Sequence, residues 1–421
     1  MARAFHTKAD FTASESPYSL LPFRFIRLDE ERELLTTDWG EWLIAPAGTA
    51  RAVVHREIAP SSELYRRLKA RQMIADDYSS PLLDVAAAKL RTKKSFIEEF
   101  TNLHLFVVTL RCEHSCPYCQ VSRQTTDRAA FDMPIAVADR SVDLMFQSPA
   151  RNLTLEFQGG EPFLAFDTIR HVVQSARRRA GAEGRGLFPV VATNLAVVTN
   201  EMLEFCRDHG VRISTSLDGP AWLHNRNRPR PGGDSYERAV DGIERARSIL
   251  GRQNVSALMT TTQASLDHPR EIIDEYVRLG FGSIFLRSIS PYGFATRSRR
   301  KRGYELDRFL AFYKDGLDYV LELNRRGTRM VEIFARILLT KILTPFPTRY
   351  VDLESPSGAG ISAVVYNYDG SVDPSDESRM LREMGDDSLR MGTVWDSYED
   401  IFGSEKFLEL VADGTAEALP G

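Results

Sequence analysis

Three of the four cysteines in the chain lie close together, at Cys112, Cys116 and Cys119, and the fourth, Cys206, stands apart. So few cysteines form no disulfide framework, and such a cluster is typical of metal or redox chemistry. Three thiolates on one loop can hold an inorganic centre and leave one coordination position open. The spacing therefore predicts a catalytic iron–sulfur site, because a cluster that only transfers electrons usually takes four cysteines.

Two other interpretations of the cysteine cluster stay open at this point. A zinc ion held by the three cysteines and His114 is possible in ligand type, although structural zinc usually places its ligands in two separated pairs. A chance group of buried structural cysteines is the second alternative, and the polar residues between Cys112 and Cys116 argue against it.

The cysteine loop directly follows a predicted strand, which begins a regular alternation of strands and amphipathic helices. Such alternation predicts a parallel sheet of right-handed crossover units, either an open doubly wound sheet or a partial barrel. In both architectures the chemistry lies at the carboxyl ends of the strands. The predicted strands cover residues 104–110, 153–158, 188–193, 211–217, 256–262 and 283–289, and the helices about 134–147, 166–182, 199–209, 235–251 and 269–279.

Length and composition place the core within a larger chain. The chain has 421 residues, 43% of them hydrophobic, and a net charge of -4, so no global field attracts nucleic acid or anionic lipid. No apolar run resembles a signal peptide or membrane span, which predicts a cytoplasmic protein without a membrane partner. We expect a flexible arm (1–19), a small α+β module of three antiparallel strands followed by helices (20–95), the α/β core (100–300) and a helical linker with an extension (301–421).

The cysteine motif, with Tyr118 immediately before the third cysteine, resembles the signature of the radical S-adenosylmethionine (SAM) superfamily. A second segment, Gly159, Gly160, Glu161 and Pro162 at the end of the second predicted strand, is similar to the GGEP segment of that family. The resemblance implies that its backbone and glutamate bind the methionine amino group of SAM. We interpret the two glycines as letting the backbone approach a ligand that any Cβ would exclude.

The resemblance implies a partial (β/α)6 TIM-like barrel with one 4Fe–4S cluster, three cysteine ligands, and SAM at the open iron. Reductive cleavage of SAM would give a 5'-deoxyadenosyl radical that abstracts hydrogen from a substrate. Three further residues would bind SAM: Asn194, although Leu195 replaces the glycine of the family's TNG segment, Ser216, and Arg287. Each has a local structural alternative, such as capping a helix, holding a turn or lying on the surface.

The C-terminal part resembles the SPASM or twitch extension of peptide-modifying relatives, without its cluster cysteines. Ser357 and Ser375 stand where cysteines are expected, and serine is a poor ligand for such clusters. This predicts an extension that keeps its scaffold and has lost its metal, the alternative being a plain hairpin and helix. Within this branch the chain looks most similar to the His-Xaa-Ser system maturases.

The resemblance implies an enzyme that modifies side chains of a ribosomally synthesised precursor peptide, by hydrogen abstraction and cross-linking. The small N-terminal module would take the peptide as an added strand. A flavodoxin- or ferredoxin-type protein would donate the electron, and a second maturase is a possible partner. Asp373, Asp376 and Tyr292 are weak candidates for a base or hydrogen donor.

Three other functions stay open. One is a sulfatase-type or other protein maturase, and another is an RNA-modifying enzyme that uses the basic residues 297–302. The third is a non-catalytic partner that delivers peptide to another radical SAM protein. Since no nucleic-acid recognition motif is present, we do not expect a nucleic-acid partner.

Overall fold

The computed structural model of the chain describes residues 18–76, 80–119, 121, 123–290 and 304–418. These residues form two compact units. The first contains the described residues up to Ser95, together with Leu338–Thr348 and the residues from Glu417. The second contains Phe96–Ile337 and Arg349–Ala416. Among the helices described, none combines the length and the apolar character that crossing a bilayer requires.

The first unit is built on a three-stranded antiparallel sheet in the order β2-β3-β4. Leu35 of β3 and Leu43 of β4 are buried and pack with Leu68 of the second helix, because alternate residues of a strand face the same side. Its elements are β1 (Ser19–Leu20), β2 (Arg24–Arg27), β3 (Arg32–Thr36), β4 (Trp42–Pro46), α1 (Thr49–Val54), α2 (Glu63–Ala70), β5 (Ile74–Ala75) and α3 (Ser80–Lys93).

The second unit begins with five parallel strands that alternate with helices. This confirms the predicted α/β fold, and among the described residues the sheet stays open rather than closing into a full barrel. The strands are β6 (Leu103–Thr109), β7 (Asn152–Gly159), β8 (Gly186–Thr193), β9 (Arg212–Ser216) and β10 (Val255–Leu258). The helices are α4 (Arg128–Phe131), α5 (Ile135–Met145), α6 (Phe166–Glu183), α7 (Asn200–Asp208), α8 (Ala221–Asn227), α9 (Ser235–Leu250) and α10 (Pro269–Arg278).

The sixth strand is shorter than the sequence predicts. β11 (Ser283–Ile284) has two residues and pairs in parallel with β12 (Val331–Glu332), not with β10. Just beyond it, the amide of Leu286 donates to the carboxylate of Glu332 at 3.1 Å. That amide therefore donates its hydrogen bond to a buried side chain, whereas in a longer strand it would donate to the backbone of the neighbouring strand.

The C-terminal segment extends the main sheet. β13 (Ala363–Tyr366) pairs in parallel with β6, so that the sheet order is β10-β9-β8-β7-β6-β13-β14-β15. A hairpin connects β13 to β14 (Ser371–Asp373), with Gly370 at a φ of 86° in its turn. The remaining elements are α11 (Leu306–Arg325), α12 (Ile333–Leu343), α13 (Asp376–Arg382), β15 (Gly392–Thr393), α14 (Tyr398–Phe402) and α15 (Glu405–Asp413).

The two faces of the main sheet differ in polarity. On β7, Leu155 and Phe157 are fully buried in the core beneath the helices, whereas Glu156 and Gln158 face a cavity on the other side. A strand has a side-chain period of two, so this alternation places polar groups inside the curved sheet.

Candidate active site

A cavity of about 250 Å³ lies at the carboxyl ends of the parallel strands. All three clustered cysteines line it, each is partly exposed, and none forms a disulfide. The sequence-predicted residues that share its wall are Cys112, Cys116, Tyr118, Cys119, Gly159, Gly160, Asn194, Ser216, Arg287 and Asp376. The fold therefore brings to one place residues that are far apart in the chain.

The two glycines hold the cysteine loop against the neighbouring strand. The amide of Gly160 donates to the carbonyl of Thr109 at 2.8 Å, and the amide of Glu161 to that of Arg111 at 2.7 Å. A Cβ on Gly159 would lie 2.1 Å from the carbonyl oxygen of Thr109, and one on Gly160 the same distance from that of Arg111. The protein's own backbone therefore already demands glycine at both positions, and an approach of these glycines to SAM stays a prediction.

Glu161 lies beneath the cavity rather than in its wall. Its carboxylate accepts hydrogen bonds from the amide of Asn194 at 2.8 Å and the hydroxyl of Thr193 at 2.7 Å. It also caps the short 3-10 helix that starts at Pro162, through the amide of Phe163. Burial, reinforced by the negative charge of Glu113, raises the pKa of Glu161 to about 8. Pro162 is buried with it, so both residues position the turn, and contact with SAM stays a prediction for Glu161.

Tyr118 ties the cysteine loop to the end of β9. Its hydroxyl donates to Asp218, which also accepts two hydrogen bonds of 3.0 Å from the guanidinium of Arg228. That guanidinium lies 5.5 Å from the centre of the Tyr118 ring. Although burial opposes ionisation, Arg228 holds the pKa of Asp218 below its usual range. Sequence analysis assigned no role to Arg228, although its place in the arginine-rich run at the end of α8 was an available signal.

His114, within the cysteine loop, connects this loop to Asn194 and Ser235. Its Nδ1 lies 2.9 Å from Oε1 of Glu113 and 3.1 Å from Nδ2 of Asn194, and its Nε2 lies 2.8 Å from Oγ of Ser235. Cys112, Glu113 and His114 do bring three metal-capable atoms within 4.8 Å of one another. However, both ring nitrogens of His114 already have partners, so the zinc alternative lacks its fourth ligand in this arrangement.

Asn194 and Leu195 follow β8 at the edge of the cavity. Asn194 accepts a hydrogen bond from the amide of Ala196 at 2.8 Å, and its side-chain nitrogen lies 3.9 Å from the sulfur of Cys112. Leu195 has a φ of 62°, in the left-handed region that favours glycine. Leu195 thus adopts a backbone conformation that glycine reaches more easily, and its side chain is buried.

Arg287 lines the cavity as a half-buried residue, and its guanidinium forms no hydrogen bond or ion pair within the described residues. An arginine in this situation suits a carboxylate or phosphate ligand, because its planar donors pair with such groups in a bidentate manner. Ser216 also lines the cavity, next to Thr215, whose buried hydroxyl has no hydrogen-bond partner. These donors are suited to a polar ligand.

Sequence analysis missed two polar residues of β7. Glu156 and Gln158 line the cavity, and Nε2 of Gln158 donates to Oε1 of Glu156 at 2.8 Å. Burial raises the pKa of Glu156 above its usual value, and Asp376 adds to the rise. The signal was present, because polar residues alternate with Leu155 and Phe157 along an otherwise apolar strand.

The catalytic candidates Asp373 and Asp376 lie in different surroundings in the structure. Asp376 lines the cavity, whereas Asp373 is fully buried in β14 and accepts hydrogen bonds from Asn367 at 2.7 Å and Ser378 at 2.8 Å. Asp373 is not among the residues that line the cavity, so a catalytic role for it stays a prediction that the structure does not support with a position near the cysteines. Tyr292 and the basic residues 297–302 lie outside the described residues.

A second cavity, of about 570 Å³, adjoins the first. Arg287 lines both, and Ser357 and Ser375 both face the second cavity. Ser375 caps α13, since its hydroxyl accepts a hydrogen bond from the amide of Ser378. The two positions where cysteines were expected therefore lie in the wall of the same cavity. The serine at position 375 has a structural role as a helix cap.

The residues of the first cavity fit the predicted cofactors. Three unpaired thiols line one space and belong to the donor class that binds iron–sulfur clusters. The unpaired guanidinium of Arg287 and the free hydroxyl of Thr215 supply donors for the carboxylate and hydroxyl groups of SAM.

Comparisons with known proteins find similarity over the part of the chain that contains the three cysteines. The model of the Radical SAM superfamily matches residues 106–276. The cysteine-type anaerobic sulfatase-maturating enzyme of Clostridium perfringens is 23% identical over 314 residues, 71% of this chain and 79% of its own length. A protein of Methanothermobacter thermautotrophicus is 29% identical over 182 residues, which span 42% of this chain and 64% of that relative.

Among solved structures, SuiB of Streptococcus suis bound to the precursor peptide SuiA has a similar fold. The TM-score is 0.56 at 13% identity, and the match covers 94% of this chain and 90% of SuiB. At this identity the likeness is one of fold. It extends over both the core and the flanking parts of the chain.

Proposed function

The chain is an enzyme with a radical SAM domain, and from this premise we propose that it modifies side chains of a ribosomally synthesised precursor peptide. The observation that carries the proposal is the placement of three unpaired thiols in one cavity with Arg287 and the polar ends of β7 to β9. Cross-linking of the peptide is the finer part of the proposal.

Cys112, Cys116 and Cys119 would hold a 4Fe–4S cluster, which when bound supplies the electron for cleavage of SAM. The chain's own residues bind and orient. Arg287 would pair with the SAM carboxylate, and Ser216 and Asn194 would donate to its other polar groups.

The first unit supports a peptide substrate. β2 pairs only with β3 among the described strands, and Phe25 and Ile26 on it are 62% and 60% exposed. On the other edge, Arg67 and Arg71 of the α2 region donate to backbone carbonyls of β4. A peptide could therefore add as a strand along β2, where it would also cover the apolar side chains.

Anaerobic reconstitution with iron and sulfide, followed by iron counting and a SAM cleavage assay, tests the proposed activity. We expect about four irons for each chain, as one 4Fe–4S cluster requires, and release of 5'-deoxyadenosine under reducing conditions. Cys116→Ala should lose both, while the matched variant Cys206→Ala, altered in the core at α7, should keep both. Zinc in place of iron, or no cleavage, contradicts the proposal and leaves the peptide-delivery alternative.

Sulfatase-type maturation is the second candidate function, favoured by the similarity to the Clostridium perfringens enzyme. The resemblance implies auxiliary clusters in that type, and the second cavity has Ser357 and Ser375 instead of cysteines. An iron content clearly above that of one cluster, or conversion of a sulfatase-derived cysteine peptide, would favour this function over precursor-peptide modification.

A further inference from the structure

The second cavity has the chemistry of a site for a long cationic side chain. We propose that it binds a lysine or arginine side chain of the peptide substrate, an inference that rests on the proposed function. The cavity lies entirely within the second unit, next to the first cavity. One wall of the cavity is aromatic, and two of its three charged residues are acidic.

Three aromatic rings form one wall of the cavity. Phe285 and Phe334 stack with their ring centres 5.9 Å apart and their planes 9° from parallel. Tyr350 stands nearly edge-on to both, with its ring centre 6.2 Å from each. All three rings are half-buried, so part of each is accessible from the cavity. Such a wall can cover the methylene stem of a long side chain.

The charged groups favour a cation. Asp352 and Glu377 line the cavity, against the single cation Arg287. The carboxylate of Glu377, in the first turn of α13, forms no hydrogen bond or ion pair within the described residues. Once Arg287 pairs with the SAM carboxylate in the first cavity, two acidic groups are left facing the second.

Together, the aromatic wall and the two carboxylates favour one class of peptide side chain. A lysine or arginine has both an apolar stem for the rings and a charged head for the two carboxylates. Asp352 already has a hydrogen bond to the Tyr350 hydroxyl, so an aromatic side chain would leave the Glu377 carboxylate unpaired, and an acidic one would be repelled by both carboxylates. Because Arg287 lines both cavities, a residue held in the second cavity places its neighbours in the peptide beside the SAM site.

Binding of three probes to the reconstituted full chain with SAM tests the inference. The probes are the blocked tripeptides Gly-Arg-Gly, Gly-Phe-Gly and Gly-Glu-Gly. Their binding is measured by saturation-transfer NMR and calorimetry. We expect the arginine probe to bind at least tenfold more tightly than the other two. The double variant Asp352→Asn with Glu377→Gln should weaken it by about tenfold, the effect of one lost charged hydrogen bond.

A charge reversal keeps the test decisive if the double variant is unstable. Glu377→Lys should reduce binding of the arginine probe and improve binding of the glutamate probe, a gain that misfolding cannot produce. Asp387→Asn, an exposed acidic residue in the loop after α13, is the matched control and should leave all three affinities unchanged.

Two outcomes overturn the inference. One is equal or tighter binding of the phenylalanine or glutamate probe, and the other is arginine binding that neither cavity variant alters. The SAM cleavage assay separates these results from the proposed function. If 5'-deoxyadenosine is released while the arginine probe fails to bind, only the inference falls; if no cleavage occurs, the proposed function falls.

Discussion

The hydroxyl of Tyr118 donates a hydrogen bond of 2.5 Å to Oδ2 of Asp218, a residue 100 positions further along the chain. Both residues are buried, and Asp218 is held in turn by Arg228. The aromatic residue of the cysteine motif thus acts as a tether between the cysteine loop and the end of β9.

Tyr118→Phe should loosen this tether. Loss of a buried hydrogen bond to a carboxylate should lower the free energy of unfolding by about 2 kcal/mol. The reconstituted variant should also lose iron faster during anaerobic desalting. The matched control is Tyr398→Phe, because the buried Tyr398 hydroxyl has no hydrogen-bond partner. Equal iron retention in the two variants would show that the tether does not support the cluster loop.

Gly160→Ala should displace the cysteine loop from the GGEP turn. The new Cβ would lie 2.1 Å from the carbonyl oxygen of Arg111, which is backbone and has little room to move. We expect a loss of stability of several kcal/mol and little bound iron, measured by urea unfolding and iron analysis. Gly181→Ala is the control, since that α6 position has nothing within 4 Å of the new atom, and it should stabilise the protein by up to about 1 kcal/mol.

Arg287→Gln should weaken SAM binding to the reconstituted enzyme by about tenfold, because a charged hydrogen-bond donor is lost from the cavity. Equilibrium dialysis with labelled SAM measures this effect. Arg207→Gln, which alters an exposed surface arginine, should bind SAM like the original protein. An unchanged affinity in Arg287→Gln would assign that guanidinium to the second cavity alone.

Stability should fall as the pH decreases below about 6.5, partly through His104. Burial lowers the pKa of His104 to about 3 from its ordinary 6.5. The unfolded chain therefore binds a proton between these values while the folded protein does not, and this residue can cost up to about 1.4 kcal/mol for each pH unit. Urea unfolding of the cluster-free protein at pH 7, 6 and 5 should show a shallower decline for His104→Gln. An identical decline would contradict this account.

The regular part of the fold was predictable because its signals are local. Apolar strands that alternate with amphipathic helices identified the α/β core, and β6 to β10 confirm it. The cysteine motif and GGEP segment resemble the radical SAM superfamily, whose model matches residues 106–276. The bounds of the sixth strand were wrong, because the carboxylate of Glu332, far away in the sequence, bonds the Leu286 amide.

The candidate site was predictable only in part. Residues in motifs were found, and Asn194, Ser216 and Arg287 line the cavity, although their roles stay predictions. Arg228 and Glu156 were missed because their importance depends on partners from other strands. Sequence alone also does not show that Asn367 and Ser378 surround Asp373 and donate hydrogen bonds to its carboxylate.

The pairing of β13 with β6 also has a consequence for biosynthesis. Leu103, at the start of β6, pairs with Ala363 of β13. During synthesis, the backbone groups on that edge of β6 therefore have no strand partner until the C-terminal hairpin has been translated. The cysteine loop follows the carboxyl end of β6, so for most of synthesis it is attached to an incomplete sheet. Completion of the sheet beside this loop is consequently a late event in synthesis, and we expect truncation before the hairpin to leave an exposed strand edge that favours aggregation.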